Sequence, residues 1–298
     1  RKFPQPTYFE KGFVFFKLNT DLNIFGLGEP NPYSGSKKEI SYILNKIIFP
    51  IIKDRDVNKL NINKIKNLAL KRTKNIPCLF SCVAAISNAI YEIQSKFEKK
   101  DFSQIVNKNS KKKSISLYAS GGMIFENQKY EDLIDEAIKF KEKKFIGWKF
   151  RPKSPTKLLS HRFRSKNPPP FDVKELLIFS QNLRLAVGEN FKLMVDFGSR
   201  CKNVKEAIYI LDALKEMNFY FIEEPIKTKL KNYKKLFYPN KNYKIAVGEY
   251  FYNNKDINNW VNMNKINTFQ FDSNMIIFDD FYKLSKKVCQ KGLNLIPH

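Results

Sequence analysis

Phe191-Lys192-Leu193-Met194-Val195-Asp196, Phe219-Tyr220-Phe221-Ile222-Glu223-Glu224-Pro225 and Tyr243-Lys244-Ile245-Ala246-Val247-Gly248-Glu249 are successive short apolar runs that each end on a carboxylate. Between the first two, Asn203–Met217 places Val204, Ala207, Ile208, Leu211 and Leu214 on one face, the spacing of an amphipathic helix. Further runs lie on either side: Ile115–Ala119 and Phe145–Phe150 before, Asn267–Phe271 and Leu293–Ile296 after. Gly188 and Gly292 stand where helices between the runs should end. Strand–helix units recurring roughly every 25 residues predict parallel strands with right-handed crossovers, hence an α/β barrel or a doubly wound sheet. The longer gap after Phe150 holds a polar, proline-rich stretch, Ser160–Pro170, expected to be disordered or lid-like.

The first third has a different texture. Gly12–Leu18 and Asn23–Leu27 read as a hairpin turning at Asn19-Thr20-Asp21. Helical patterns follow at Lys37–Ile52, Asn61–Lys71 and Leu79–Phe97, the last with Ala84, Ala85, Ala89 and Ile93 on one side for close packing. Two domains are expected: an α+β domain over 1–113 and a (β/α) barrel over 114–298. Seven barrel strands are visible, whereas a closed barrel has eight, so a barrel cut after its seventh strand is expected. Arg1 is not an initiator Met, so residues before it are expected too.

Composition narrows the function classes. An apolar fraction of 43% with 14% aromatics excludes general disorder. No apolar run has the length of a membrane span. Arg1-Lys2-Phe3-Pro4 lacks the apolar core of a secretory signal, and a cytoplasmic location is expected. Cys78, Cys82, Cys201 and Cys289 are too scattered for a disulfide framework. Cys78 and Cys82 share a helix face, but no histidine or third cysteine lies nearby. The formal charge of +25 raises the question of nucleic acid. The lysines are spread along the whole chain, however, and no basic run is interleaved with regularly spaced aromatics. Neither nucleic acid nor membrane is expected as a partner; the positive field instead suits an anionic substrate.

The chemistry gathers at the strand ends. Asp196, Glu223 and Glu249 follow three consecutive strands, and in a barrel such ends converge on one face. Three convergent carboxylates repel one another unless a cation neutralises them, and hard oxygen ligands suit Mg²⁺. Glu224 either substitutes for Glu223 or orients it. The next two units end in Asp272 and His298, an acid–imidazole pair suited to proton transfer near neutral pH. The other histidine, His161, falls in the polar loop and reads as solvated. Strand alternation turns Lys149 and Arg151 to the same side. Either both hold a substrate carboxylate, or Arg151 depresses the pKa of Lys149 until it serves as a base.

Together these residues resemble the enolase superfamily, in particular its mandelate racemase and muconate-lactonizing branch. Phe25-Gly26-Leu27-Gly28-Glu29 is similar to the Gly-x-Gly-Glu end of that branch's capping-domain hairpin. Ala85–Ile93 resembles its Ala-rich helix, and Leu117-Tyr118-Ala119-Ser120-Gly121-Gly122 its first barrel strand. Ile222-Glu223-Glu224-Pro225 and Ala246-Val247-Gly248-Glu249 are the most specific pieces, and the Asp272/His298 pair points to the mandelate racemase subgroup. The resemblance implies Mg²⁺ on Asp196, Glu223 and Glu249, with the cation and nearby positive charges stabilising an enediolate formed when a base removes the proton α to a carboxylate. It implies His298 as base oriented by Asp272, with Lys149 and Arg151 on the carboxylate. Departure of a neighbouring hydroxyl then makes the reaction an acid-sugar dehydration, and a homo-oligomer is implied. Racemases, epimerases and cycloisomerases on the same scaffold, or an inactive truncated homologue, are the alternatives. Two departures bear on this. The subgroup's usual Lys-x-Lys here has Arg151 as its second cation, a poor base, which favours dehydration over racemisation. Gly198 stands where many relatives carry Asn.

Overall fold

The structure, a computed structural model, describes residues 13–108, 114–122, 129–152 and 171–298. Ser160–Pro170, His161 included, lies outside the described residues. Contacts divide the chain into two compact units, one built on Ser114–Val247 and Met263–Thr268, the other on Glu10–Lys113, Gly248–Asn262 and Phe269–His298.

The chain begins with an antiparallel hairpin of β1 (Phe16–Asn19) and β2 (Phe25–Gly28), with Phe16 opposite Gly28 and Asn19 opposite Phe25. Gly26 is obligatory for packing: a Cβ there would lie 2.0 Å from the carbonyl oxygen of Ala89. The expected helix over 37–52 forms in three pieces, α1 (Lys37–Tyr42), a π-helical turn (Ile43–Ile48) and α2 (Phe49–Ile52). Ser36 and Glu39 form a capping box at its start. Then come α3 (Ile62–Leu70), α4 (Pro77–Glu98) and α5 (Phe102–Val106). Pro77 suits the first turn of α4, where its missing N–H costs nothing. Ala84, Ala85, Ala89 and Ile93 are buried on α4, as their spacing requires.

From residue 114 strands and helices alternate: β3 (Ala119–Ser120), α6 (Tyr130–Glu142), β4 (Gly147–Phe150), α7 (Val173–Val187), β5 (Lys192–Asp196), α8 (Val204–Leu214), β6 (Phe221–Glu223), α9 (Leu230–Leu236), β7 (Ile245–Val247), α10 (Asn254–Asn262), β8 (Thr268–Phe269), α11 (Phe278–Gln290) and β9 (Asn294–Leu295). The seven strands β3 to β9 form one sheet in sequential order, parallel where the register is defined from β3 to β7. Sequential parallel order is that of a TIM-like (β/α) barrel; a doubly wound sheet would reverse direction from its first strand. Gly188 and Gly292 adopt the positive φ of helix C-caps, 78° and 69°. No helix among the described residues is long and apolar enough to cross a membrane.

Candidate active site

In the unit built on Ser114–Val247, the strand ends carry opposed charges. Asp196 ends β5 and Glu223 ends β6, and the two are partners in the parallel register. Each is 2% exposed. Arg151, just past β4, donates from Nε to Asp196 Oδ2 at 2.7 Å, with Nη2 at the same distance. Lys149 Nζ passes the intervening strand and pairs with Glu223 Oε2. Asp196 Oδ1 accepts from the Gly198 N–H at 2.7 Å.

These contacts set the charge states. Burial opposes ionisation of Asp196, but Arg151, Lys149 and the Gly198 N–H outweigh it and hold the carboxyl below its ordinary range. Burial alone would lower the Lys149 pKa; Glu223 and Asp196 overcome it and raise the value. In this arrangement the two carboxylates, rather than Arg151, set the direction of the Lys149 shift. Next to Glu223, Glu224 Oε2 accepts the Ser199 hydroxyl at 3.0 Å. Its backbone sits at φ 37°, a conformation non-glycine residues adopt at a cost.

In the other unit, His298 stands between two carboxylates. Its Nε2 is 3.5 Å from Glu249 Oε1 and its Nδ1 is 3.9 Å from Asp272 Oδ2. The second distance exceeds a hydrogen bond, so the sequence expectation of an Asp272-oriented imidazole is met in proximity only. Asp272 is instead hydrogen-bonded by Asn31, a residue that sequence reasoning missed. Asn31 Nδ2 donates to Asp272 Oδ2 at 2.7 Å, and the Asn274 N–H donates to Oδ1 at 2.7 Å. Its signal in the sequence was its place directly after the hairpin's Gly28-Glu29-Pro30. A groove of about 690 Å³ elsewhere in this unit, lined by Leu18, Asp21, Phe49, Arg55 and Phe97 among others, holds none of the candidate residues.

Asp196 and Glu223 offer hard oxygen donors side by side, the chemistry that Mg²⁺ takes when it keeps waters and binds one or two protein carboxylates. The pair therefore fits such an ion. Among the described residues no group of three or more His, Cys, Asp or Glu is disposed to hold a metal.

Residues 132–276 match the family model described as enolase C-terminal domain-like. No curated protein matches the chain. Among solved structures, the 3,6-anhydro-D-galactonate cycloisomerase from Zobellia galactanivorans is 20% identical, over 96% of this chain and 74% of that one, with a TM-score of 0.77. A racemase from Streptomyces coelicolor A3(2) with bound magnesium is 20% identical over 96% and 80%, at a TM-score of 0.80. A proposed dehydratase from Zymomonas mobilis ZM4 is 21% identical over 96% and 75%, also at 0.80. At such identities the likeness is one of fold. With the family model matched from the first barrel helix into the unit that follows Asp272, residues 132–276 belong to the enolase C-terminal domain-like family.

Proposed function

We propose that the protein is a Mg²⁺-dependent hydro-lyase that converts an aldonate or aldarate to a 2-keto-3-deoxy acid. The observation that supports this most is the buried, register-paired Asp196 and Glu223, each faced by a cation from the end of β4. Asp196 and Glu223 are the residues that would hold the ion, with Glu249 the third ligand that the sequence resemblance implies. When bound, it would supply fixed positive charge against the negative charge that develops on the substrate carboxylate. Lys149 and Arg151 bind that carboxylate as cations. His298 Nε2 takes the α-proton; a positioned base of this kind contributes roughly 100- to 10,000-fold in rate. The C–O bond to the neighbouring hydroxyl then breaks, the hydroxyl leaves as water with a proton from the imidazolium, and the resulting enol tautomerises to the ketone.

Arg151 favours elimination over racemisation, since a guanidinium is a poor base for the opposite face of the substrate. A racemase or cycloisomerase on the same scaffold is the second reading, in keeping with the fold shared with the Streptomyces and Zobellia proteins. The partner is a small carboxylate rather than nucleic acid or membrane, and the chain works as a cytoplasmic homo-oligomer. The test is a panel of acid sugars with Mg²⁺, read as 2-keto acid formed, with His298→Asn and Glu223→Gln as controls. Product that forms equally well with Glu223→Gln would defeat the metal assignment. Deuterium exchange at the α-carbon without loss of water would favour the second reading.

A further inference from the structure

Asn31 is 5% exposed, and each of its polar groups is hydrogen-bonded. Its backbone N–H donates to Ser81 Oγ at 2.6 Å, its Oδ1 accepts from the Tyr33 N–H at 2.8 Å, and its Nδ2 donates to Asp272 Oδ2 at 2.7 Å. The Tyr33 bond decides which way the amide faces: with the oxygen committed there, only the NH₂ can meet Asp272. The carbonyl in turn accepts from the Ser34 hydroxyl at 2.7 Å and from the Ser34 N–H at 3.0 Å. Ser81, on the second turn of α4, is fully buried, so the loop is latched to a rigid helix.

A buried amide is costly unless satisfied, and here its oxygen is held by the Tyr33 N–H while its NH₂ holds one carboxylate oxygen. That oxygen is the one nearest the His298 imidazole, 3.9 Å from Nδ1. With Oδ2 engaged by Asn31 and Oδ1 by the Asn274 N–H, Asp272 cannot swing toward or away from the ring without breaking a 2.7 Å bond. We propose that Asn31, latched by Ser81, is a positioning residue for proton transfer: it fixes the Asp272 carboxylate, and with it the negative charge that stands 3.9 Å from Nδ1 of the His298 ring. The proposal rests on the reading of His298 as the base. Displacements of this kind matter because misplacing a reacting group by about 1 Å can cost on the order of 100-fold in rate.

The sequence offers a clean probe, since His161 and His298 are its only histidines. With ¹⁵N-histidine labelling and His161→Gln to assign the signals, Asn31→Ala is expected to shift the ring-nitrogen resonances of His298 and leave those of His161 in place. Ser81→Ala, which removes the latch but keeps the amide, is expected to give a smaller shift in the same direction and serves if Asn31→Ala does not fold. Where an acid sugar is turned over, Asn31→Ala should lower kcat at least tenfold and leave KM within threefold. Unmoved His298 resonances in a folded Asn31→Ala or Ser81→Ala protein would reduce Asn31 to a packing residue. If His298→Asn leaves turnover intact, the functional reading fails instead, and the resonances still judge the link to Asn31.

Discussion

Lys149 and Glu223 form an ion pair inside the sheet, with the strand that carries Asp196 between them. Their side chains are 7% and 2% exposed, so neither charge is solvated by water to any extent. Removing one member of such a pair leaves an uncompensated buried charge and costs about 3 kcal/mol or more, whereas replacing both with apolar groups of similar volume is often neutral. Glu223→Leu is therefore expected to lower the urea midpoint sharply, and Lys149→Met with Glu223→Leu to regain most of the loss. A double variant no more stable than Glu223→Leu alone would show that the pair is not coupled.

Arg184 on α7 is a second largely buried cation, and its two terminal nitrogens are met by carbonyl groups while its Nε has no partner. Its Nη1 donates to the carbonyls of Gly188 and Phe191 at 3.0 and 2.8 Å, and its Nη2 to that of Asn218 at 3.0 Å. It thereby joins the end of α7 to the chain entering β5 and β6. Burial lowers its pKa, yet a guanidinium stays charged well above neutral pH. Arg184→Ala strands several carbonyls at once and is expected to cost about 3 kcal/mol. Denaturant unfolding measures it, and a loss under 1 kcal/mol, on the order of one ordinary hydrogen bond, would contradict the staple.

Much of this was legible in the sequence, for identifiable reasons. The strand ends at Asp196, Glu223 and Val247 fall where the apolar runs stop, because a parallel strand buried on both faces admits few polar residues before its end. Alternation predicts Lys149 and Arg151 on one side, and each meets a carboxylate at a strand end. It carried no information on which carboxylate each would meet, because Lys149 finds a partner 74 residues away and two strands over. Asn31 was hidden for the same reason: its partner lies 241 residues further along. The π-helical turn Ile43–Ile48 was also unreadable. Its buried Ile43, Leu44, Ile47 and Ile48 keep a spacing that an ordinary α-helix would bury equally well.

Stability should also carry a readable pH signature at Asp212. Burial works against its ionisation, but hydrogen bonds from Lys241 and Tyr243 prevail and hold its pKa below the ordinary value. A carboxyl depressed on folding stabilises the native state above its unfolded pKa of about 3.9, and that contribution disappears as pH falls through the lower folded value. Asp212→Asn should thus be less stable than the parent at pH 7, with the gap closing steadily below about pH 4. Because the side chain is 45% exposed the gap will be small. A gap that instead widened on acidification would reverse the assignment.

Arg151 decides between the two functional readings, and its replacement tests that directly. It holds Asp196 with two nitrogens on a single oxygen, Nε and Nη2 both at 2.7 Å from Oδ2. A lysine in its place would keep the positive charge but reach Asp196 with one ammonium, and unlike a guanidinium it can lose its proton when desolvated. If Arg151 is what confines proton transfer to the His298 side, Arg151→Lys should add slow deuterium incorporation with loss of configuration at the α-carbon, while dehydration slows through weaker carboxylate binding. Chiral analysis of substrate recovered from D₂O reads the first effect and 2-keto acid release the second. Recovered substrate that keeps its configuration in Arg151→Lys, with exchange at the parent rate, would show that the second face is closed by something other than the choice of cation at this position.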